Sequence, residues 1–146
     1  MDFLIKTYSE LTKEELYQLL RLRAEVFVVE QDCPYQDVDN KDQKAYHVLG
    51  YDQGELVAYT RYFKAGDYFN KASIGRVVVK QSHRGTQLGY KLMNTTIKAL
   101  TEKLNTSSIE LSAQEYLLEF YKNLGFHPIG ETYLEDGIPH RKMIKD

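Results

Sequence analysis

The residues best suited to chemistry fall in one stretch, Lys80-Gln81-Ser82-His83-Arg84-Gly85-Thr86-Gln87-Leu88-Gly89. It follows a run rich in β-branched residues, Ala72 to Val79. It precedes a segment with Leu88, Leu92, Met93, Ile97, Leu100 and Leu104 at helical spacing. A strand that passes through a glycine-bearing loop into a helix is an anion site. The first helical N–H groups have no partner inside the helix, and the helix dipole adds positive potential there. Gly85 and Gly89 let a phosphate come close to the backbone, and Arg84 and His83 supply charge. Two nucleotide motifs are excluded. The P-loop needs four residues between its glycines and a Gly-Lys-Ser/Thr ending, whereas three residues separate Gly85 from Gly89. The spaced glycines of the dinucleotide fingerprint are also absent.

Other candidates for chemistry fall away. Asp37, Asp39 and Asp42 resemble a run of calcium ligands, but the turn glycine and distal Glu of an EF-hand are missing. No His/Cys spacing fits zinc, so no metal is expected. Cys33 is the only cysteine, which excludes an intrachain disulfide and fits a reducing, cytoplasmic setting. Lys and Arg number 19 against 21 Asp and Glu, a formal charge of −2, which argues against nucleic acid as a partner. No apolar run approaches the ~18 residues of a membrane span. The N-terminal Met1 to Lys6 lacks the pattern of a signal peptide.

The elements that must position the loop can be read from periodicity. The 146 residues make one domain, 1–146, with no linker and no repeat. Residues 2–8 alternate as a strand. Thr12 and Glu15 form a capping box, and the helix after it carries Leu16, Leu19, Leu20, Val26 and Phe27 on one face. Arg23 interrupts that apolar stripe and must pair or snorkel. Glu30 to Asp42 reads as an acidic loop. Residues 45–51 and 55–64 read as a hairpin, and 72–79 as a central strand buried on both faces. After the long helix come a strand at 108–112, a helix at 114–124 stopped by Gly125, and two strands at about 126–133 and 140–144. The order predicts an α/β (α+β) fold, a mixed central sheet of about six to seven strands flanked by helices.

Arg84-Gly85-Thr86-Gln87-Leu88-Gly89 resembles the Arg/Gln-x-x-Gly-x-Gly/Ala loop of the GNAT superfamily of acyl-CoA N-acyltransferases. The segment Gln114 to Phe126, ending Tyr121-x-x-x-Gly125-Phe126, resembles that family's fifth-strand-to-helix block. The blocks Leu22 to Gln31, Cys33-Pro34-Tyr35 and Glu135 to His140 resemble its ElaA-like subfamily. Together the motifs span essentially the whole chain. One position departs from the pattern: Gln87 stands where the first loop glycine is usual. Gln is a good helix former, so the helix is expected to continue through it.

The resemblance implies a GNAT fold with a splay between the fourth and fifth strands, and an N-acetyltransferase. The enzyme would use acetyl-CoA as co-substrate, and a small-molecule or peptide amine would attack the thioester directly. It further implies that the backbone of Val77, Val78 and Val79 and the loop Arg84, Gly85, Thr86, Gln87, Leu88 and Gly89 hold the cofactor, with Gln114 as a further contact. A freed N–H near Val77 or Val78 would meet the oxyanion. Tyr121 would be the general acid for the departing thiolate, although its spacing with Leu117, Phe120 and Leu124 also suits an ordinary core aromatic. Glu30 and His140, with His47 and Glu115 beside them, are candidates for the base, and each also reads as an ordinary polar residue. The acidic loop 30–42 flanks the acceptor groove in this family, which implies a cationic amine. The alternative is a non-catalytic acyl-CoA-binding module with the same fold. Either a monomer or a homodimer is compatible with the sequence.

Overall fold

The capping box at Thr12 is realised. The Glu15 N–H donates to the Thr12 hydroxyl at 3.1 Å, and the Thr12 N–H donates to the Glu15 carboxylate at 2.8 Å. The computed structural model describes residues 1–146. Helix α1 (Lys13–Arg23) starts at this box and then widens into a π-helical segment, Ala24–Glu30, rather than running regularly through Phe27. Such widening shifts side chains around the axis and often marks functional sites.

Seven strands follow one another in a single sheet: β1 (Asp2–Thr7), β2 (Tyr46–Asp52), β3 (Glu55–Phe63), β4 (Ala72–Val79), β5 (Ile109–Gln114), β6 (His127–Glu135) and β7 (Ile138–Lys145). The spatial order is β1-β2-β3-β4-β5-β7-β6. All neighbours are antiparallel except β4 and β5, so the sheet is mixed as expected. Helix α1 covers one face, where Leu19, Leu22 and Val26 pack on Leu49, Tyr59 and Val78. Helix α2 (Leu88–Leu104) and the short α3 (Leu118–Lys122) belong to the main core with Val48, Val57, Ile109 and Met143. The expected helix 114–124 is present in shortened form, a 3-10 turn at Glu115–Leu117 running into α3. Strand β5 runs on through Gln114, and only Leu118–Lys122 is α-helical. No helix is long and apolar enough to cross a membrane.

Arg23 is fully buried and paired, as the interrupted stripe requires. Its Nε donates to Asp37 at 2.7 Å and its Nη1 to Asp42 at 2.7 Å. Arg61 of β3, also buried, donates to the same Asp42 oxygen at 2.7 Å and to Asp39 at 2.6 Å. Arg76 of β4 reaches Asp37 at 2.8 Å and Asp39 at 3.3 Å. Three arginines from α1, β3 and β4 thus hold the three aspartates that resembled calcium ligands. His47 is buried beneath them. Its Nε2 must donate to the Asp42 carbonyl at 2.9 Å, because a carbonyl only accepts, and its Nδ1 then accepts from the Tyr59 hydroxyl at 2.6 Å. Burial lowers its pKa, so it is a neutral structural group and not a catalytic base.

Burial by itself would raise the Asp39 carboxyl, but Arg61 and Arg76 outweigh it and hold the pKa at about 2, below the ordinary 3.8. A carboxyl with a lowered folded-state pKa stabilises the fold fully above its unfolded value and loses that contribution as pH falls toward the folded value. The melting temperature should therefore hold down to near pH 3.8 and drop as pH approaches about 2. Asp39→Asn should flatten part of that drop. An acid limb unchanged in Asp39→Asn would contradict the assignment.

Candidate active site

Strands β4 and β5 pair at only two positions, Ala72 with Ile109 and Ser73 with Glu110, and then diverge. On its other side β4 carries a bulge. Gly75 and Val78 align with Arg61 and Tyr59, leaving Arg76 and Val77 opposite Thr60 alone. Arg76 takes a left-handed φ of 52° to make that bulge. A bulge increases local twist and bends the strand, which turns β4 away from β5. The gap opens into a cavity of about 570 Å³, lined by Gly75 to Val79 on one side and by Leu111, Ser112 and Gln114 on the other. The π-helical segment contributes Phe27, Val28 and Glu30 to the same cavity.

At one end of the cavity stands the loop before α2. Arg84, Gly85, Gln87, Leu88 and Gly89 all line it. Gln87 does not extend the helix. It has φ 66° and ψ 9°, and α2 begins at Leu88, with the Gln87 carbonyl accepting from Lys91 N–H at 3.1 Å. The residue has taken the left-handed conformation for which glycine is the usual choice. Gly85 is also left-handed, at φ 77°, with open space where a Cβ would point. A Cβ at Gly89 would lie 3.2 Å from the Phe120 ring, so its bareness lets α3 pack on α2. Thr86 does not line the cavity; its hydroxyl donates to the His83 carbonyl at 2.7 Å and braces the turn. Arg84 donates from Nε to the Val79 carbonyl at 3.0 Å, and its two terminal nitrogens grip the Glu30 carboxylate.

Tyr121 is buried and lines the cavity, with its ring edge-on to Phe120 and Phe126. Its phenol makes no hydrogen bond within the protein. Burial, with a smaller push from Tyr116, raises its pKa, so it keeps its proton. Gln114 closes β5 and exchanges amide hydrogen bonds with Gln31 at 3.3 Å across the cavity. It offers no side-chain cap to the turn that follows.

Of the four candidate bases the structure retains one without a structural partner at its reactive atom. His47 is committed elsewhere. Glu115 lies outside the lining and accepts from Thr132 at 2.7 Å. Glu30 lines the cavity but is neutralised by Arg84. His140 is 5% exposed, faces Gln114 across β7 and β5, and donates from Nδ1 to the Ile138 carbonyl at 2.7 Å. Its Nε2 is left to the cavity, 3.5 Å from the Glu135 carboxylate.

The acidic loop also reads differently in three dimensions. Asp37, Asp39 and Asp42 are neutralised by arginines and Glu30 by Arg84. Asp32, the fifth acid of the loop, has no ion pair but does not line the cavity, so the expected acidic wall over the acceptor groove carries little free charge. Glu135 and Ser112, which sequence reasoning did not select, line the cavity beside His140. Their signal was available in principle. Tyr133 pairs with His140, and a period of two places Glu135 on the same face as Tyr133.

A family model described as an acetyltransferase (GNAT) domain matches residues 7–146. The chain belongs to the GNAT acetyltransferase family. It is 45% identical to protein ElaA of Escherichia coli strain K12 over 141 residues, covering 95% of this chain and 92% of that one. The crystal structure of Escherichia coli ElaA superposes with a TM-score of 0.93 at 42% identity, over 99% of each chain. An acyl-CoA N-acyltransferase from Pseudomonas aeruginosa superposes with a TM-score of 0.92 at 42% identity, over 100% of each.

The GNAT loop of this chain contains a testable irregularity. An L-residue in the left-handed region costs about 1–2 kcal/mol. Gln87→Gly removes that cost, partly offset by the greater freedom of glycine in the unfolded chain. Urea unfolding should show the variant more stable by about 0.5–1 kcal/mol. A destabilised variant would mean that the Gln87 side chain holds the loop in some other way.

Proposed function

We propose that the protein transfers the acetyl group of acetyl-CoA to a primary amine, by direct attack within a ternary complex. The observation that carries this reading is the divergence of β4 from β5 into a cavity whose far end is the glycine-bearing loop of α2. The residues fit the donor. An extended pantetheine arm would lie along Arg76 to Val79, where β4 has no partner in β5. The diphosphate would meet the backbone of Arg84 to Gly89 at the α2 N-terminus, where orphan N–H groups and the dipole favour an anion. The bulge at Arg76 and Val77 supplies N–H groups outside the ladder for the carbonyl oxygen of the thioester.

The chemistry asks for two proton movements. The amine must lose the proton that keeps its lone pair unavailable, and the sulfur must gain one as the C–S bond breaks. Tyr121 suits the second step, because a buried phenol that stays protonated can hydrogen-bond to the sulfur and protonate it as charge develops. His140 suits the first, with Nδ1 anchored and Nε2 open to the cavity. A cytoplasmic location agrees with the single free thiol.

Tyr121→Phe keeps the ring and its contacts with Phe120 and Phe126 but removes the proton. Acetyl-CoA turnover across a panel of amines should fall about 10²–10⁴-fold, with donor affinity and melting temperature nearly unchanged. Turnover within about threefold of the parent, far short of a lost general acid, would remove Tyr121 from the reaction.

A further inference from the structure

Four carboxylates line the cavity: Glu30, Asp37, Glu135 and Asp136. Glu30 is held by Arg84, and Asp37 by Arg23 and Arg76. Neither Glu135 nor Asp136 has a lysine or arginine partner; Glu135 has only His140. The free negative charge of the cavity is therefore confined to one end, the β6–β7 hairpin. The hairpin is built to hold it there. Asp136 and Gly137 both have positive φ, 52° and 75°, the requirement of a tight two-residue turn matching strand twist. The turn fixes Glu135 opposite Ile138 and Tyr133 opposite His140, so Tyr133, Glu135 and His140 share one face. Gln114 pairs with His140, and Ser112, two residues back on β5, lies on that face too.

The hydrogen bonds on this face have one consistent direction. The Ser112 hydroxyl has a single proton, which goes to Glu135 Oε1 at 3.0 Å. Tyr133 must then donate its own hydroxyl proton to Ser112 Oγ. Glu135 Oε1 is thus fixed as an acceptor, with the other oxygen turned toward His140 Nε2. His140, 5% exposed, uses Nδ1–H on the Ile138 carbonyl, and Nε2 has no hydrogen bond. A nearly buried imidazole with a free acceptor nitrogen, facing a cavity beside a carboxylate that no cation neutralises, is a receptor for an ammonium group.

We propose that the β6–β7 hairpin is the acceptor subsite, in which Glu135 receives the ammonium group of a cationic primary amine and His140 removes its proton. This rests on the acetyl-transfer reading of the cavity and specifies its second substrate. The ammonium gives one proton to Nε2, and Glu135 stabilises the imidazolium that forms. Glu135 is partly exposed, so the proton leaves through it to solvent. The freed lone pair attacks the thioester carbon; the C–N bond forms, the C–S bond breaks, and the sulfur takes the Tyr121 proton. The second proton on nitrogen returns to the Tyr121 oxygen. The products are the amide, the CoA thiol and one proton in solvent.

Two probes of similar shape separate the steps. Benzylamine is a cation in neutral buffer, whereas O-benzylhydroxylamine is uncharged there and arrives with its lone pair free. In an NMR titration of the CoA-saturated protein, Glu135→Gln should weaken benzylammonium binding about tenfold or more, the worth of a charge-assisted hydrogen bond. Glu135→Asp should retain most of it. His140→Asn, whose amide nitrogen replaces Nδ1 as donor to the Ile138 carbonyl, should lower kcat for benzylamine about 10²–10⁴-fold with little change in KM. It should slow O-benzylhydroxylamine far less. Benzylammonium binding equal in Glu135→Gln and the parent would overturn the subsite. Equal slowing of both probes by His140→Asn would overturn the proton transfer. If the parent protein acetylates neither probe while the Glu135 effect on binding holds, the ammonium subsite stands and the acetyl-transfer reading fails.

Discussion

The structure turns on the parting of β4 from β5. Two paired residues hold the strands together, and beyond Ser73 each edge is open. Nothing in the apolar pattern of Ala72 to Val79 requires this, since a strand buried on both faces would pair on both sides. The cause is local: Arg76 adopts a left-handed φ, which costs an L-residue about 1–2 kcal/mol. The contacts that offset this cost are visible. The Arg76 guanidinium reaches Asp37 and Asp39, and the Thr60 hydroxyl donates to the Gly75 carbonyl at 2.7 Å beside the bulge. The strain therefore sits where the sheet must open, and an ion-pair network on the neighbouring loop keeps it there.

That network also governs the charge of the cavity. Asp42 is shared by two buried arginines, and Asp37 and Asp39 each touch Arg76. Breaking one side of such a buried pair leaves an uncompensated charge, at a cost of about 3–5 kcal/mol. The acids of the loop are thus parts of the scaffold, and the electrostatic character of the cavity comes from residues far along the chain. Positive potential gathers at the α2 loop and free negative charge at the β6–β7 hairpin. A donor rich in phosphate and an acceptor bearing an ammonium group would enter such a cavity from opposite ends.

Much of this was legible in the sequence, and what escaped it has a physical reason. The Thr12–Glu15 capping box, the succession of strands and helices along the chain and the strand-loop-helix unit at Lys80–Gly89 depend on short-range spacing, which periodicity reveals. The role of the acidic loop depends on partners distant in the chain: Arg61 lies 22 residues from Asp39, and Arg76 lies 37 from it. No local pattern marks such a pair. Arg23 was the one visible hint, because a charge inside an apolar stripe demands a counter-charge. Gln87 escaped for another reason. Its helix propensity is high, but the chain must turn left-handed there to aim α2, and tertiary geometry overrode propensity. The helix expected from Gln114 starts one residue later, with a 3-10 first turn, because β5 extends through Gln114 to pair with His140. That pairing brings His140 into the cavity.

The opened β4 edge and the α2 loop together would receive the acyl-CoA donor. Amide hydrogen exchange with and without saturating CoA tests it residue by residue. Exchange should slow at Arg76 to Val79 and at Gly85 to Gly89, with β1 and the outer strand β6 unchanged. Exchange at those two segments unaffected by saturating CoA, or protection centred on another part of the sheet, would contradict it.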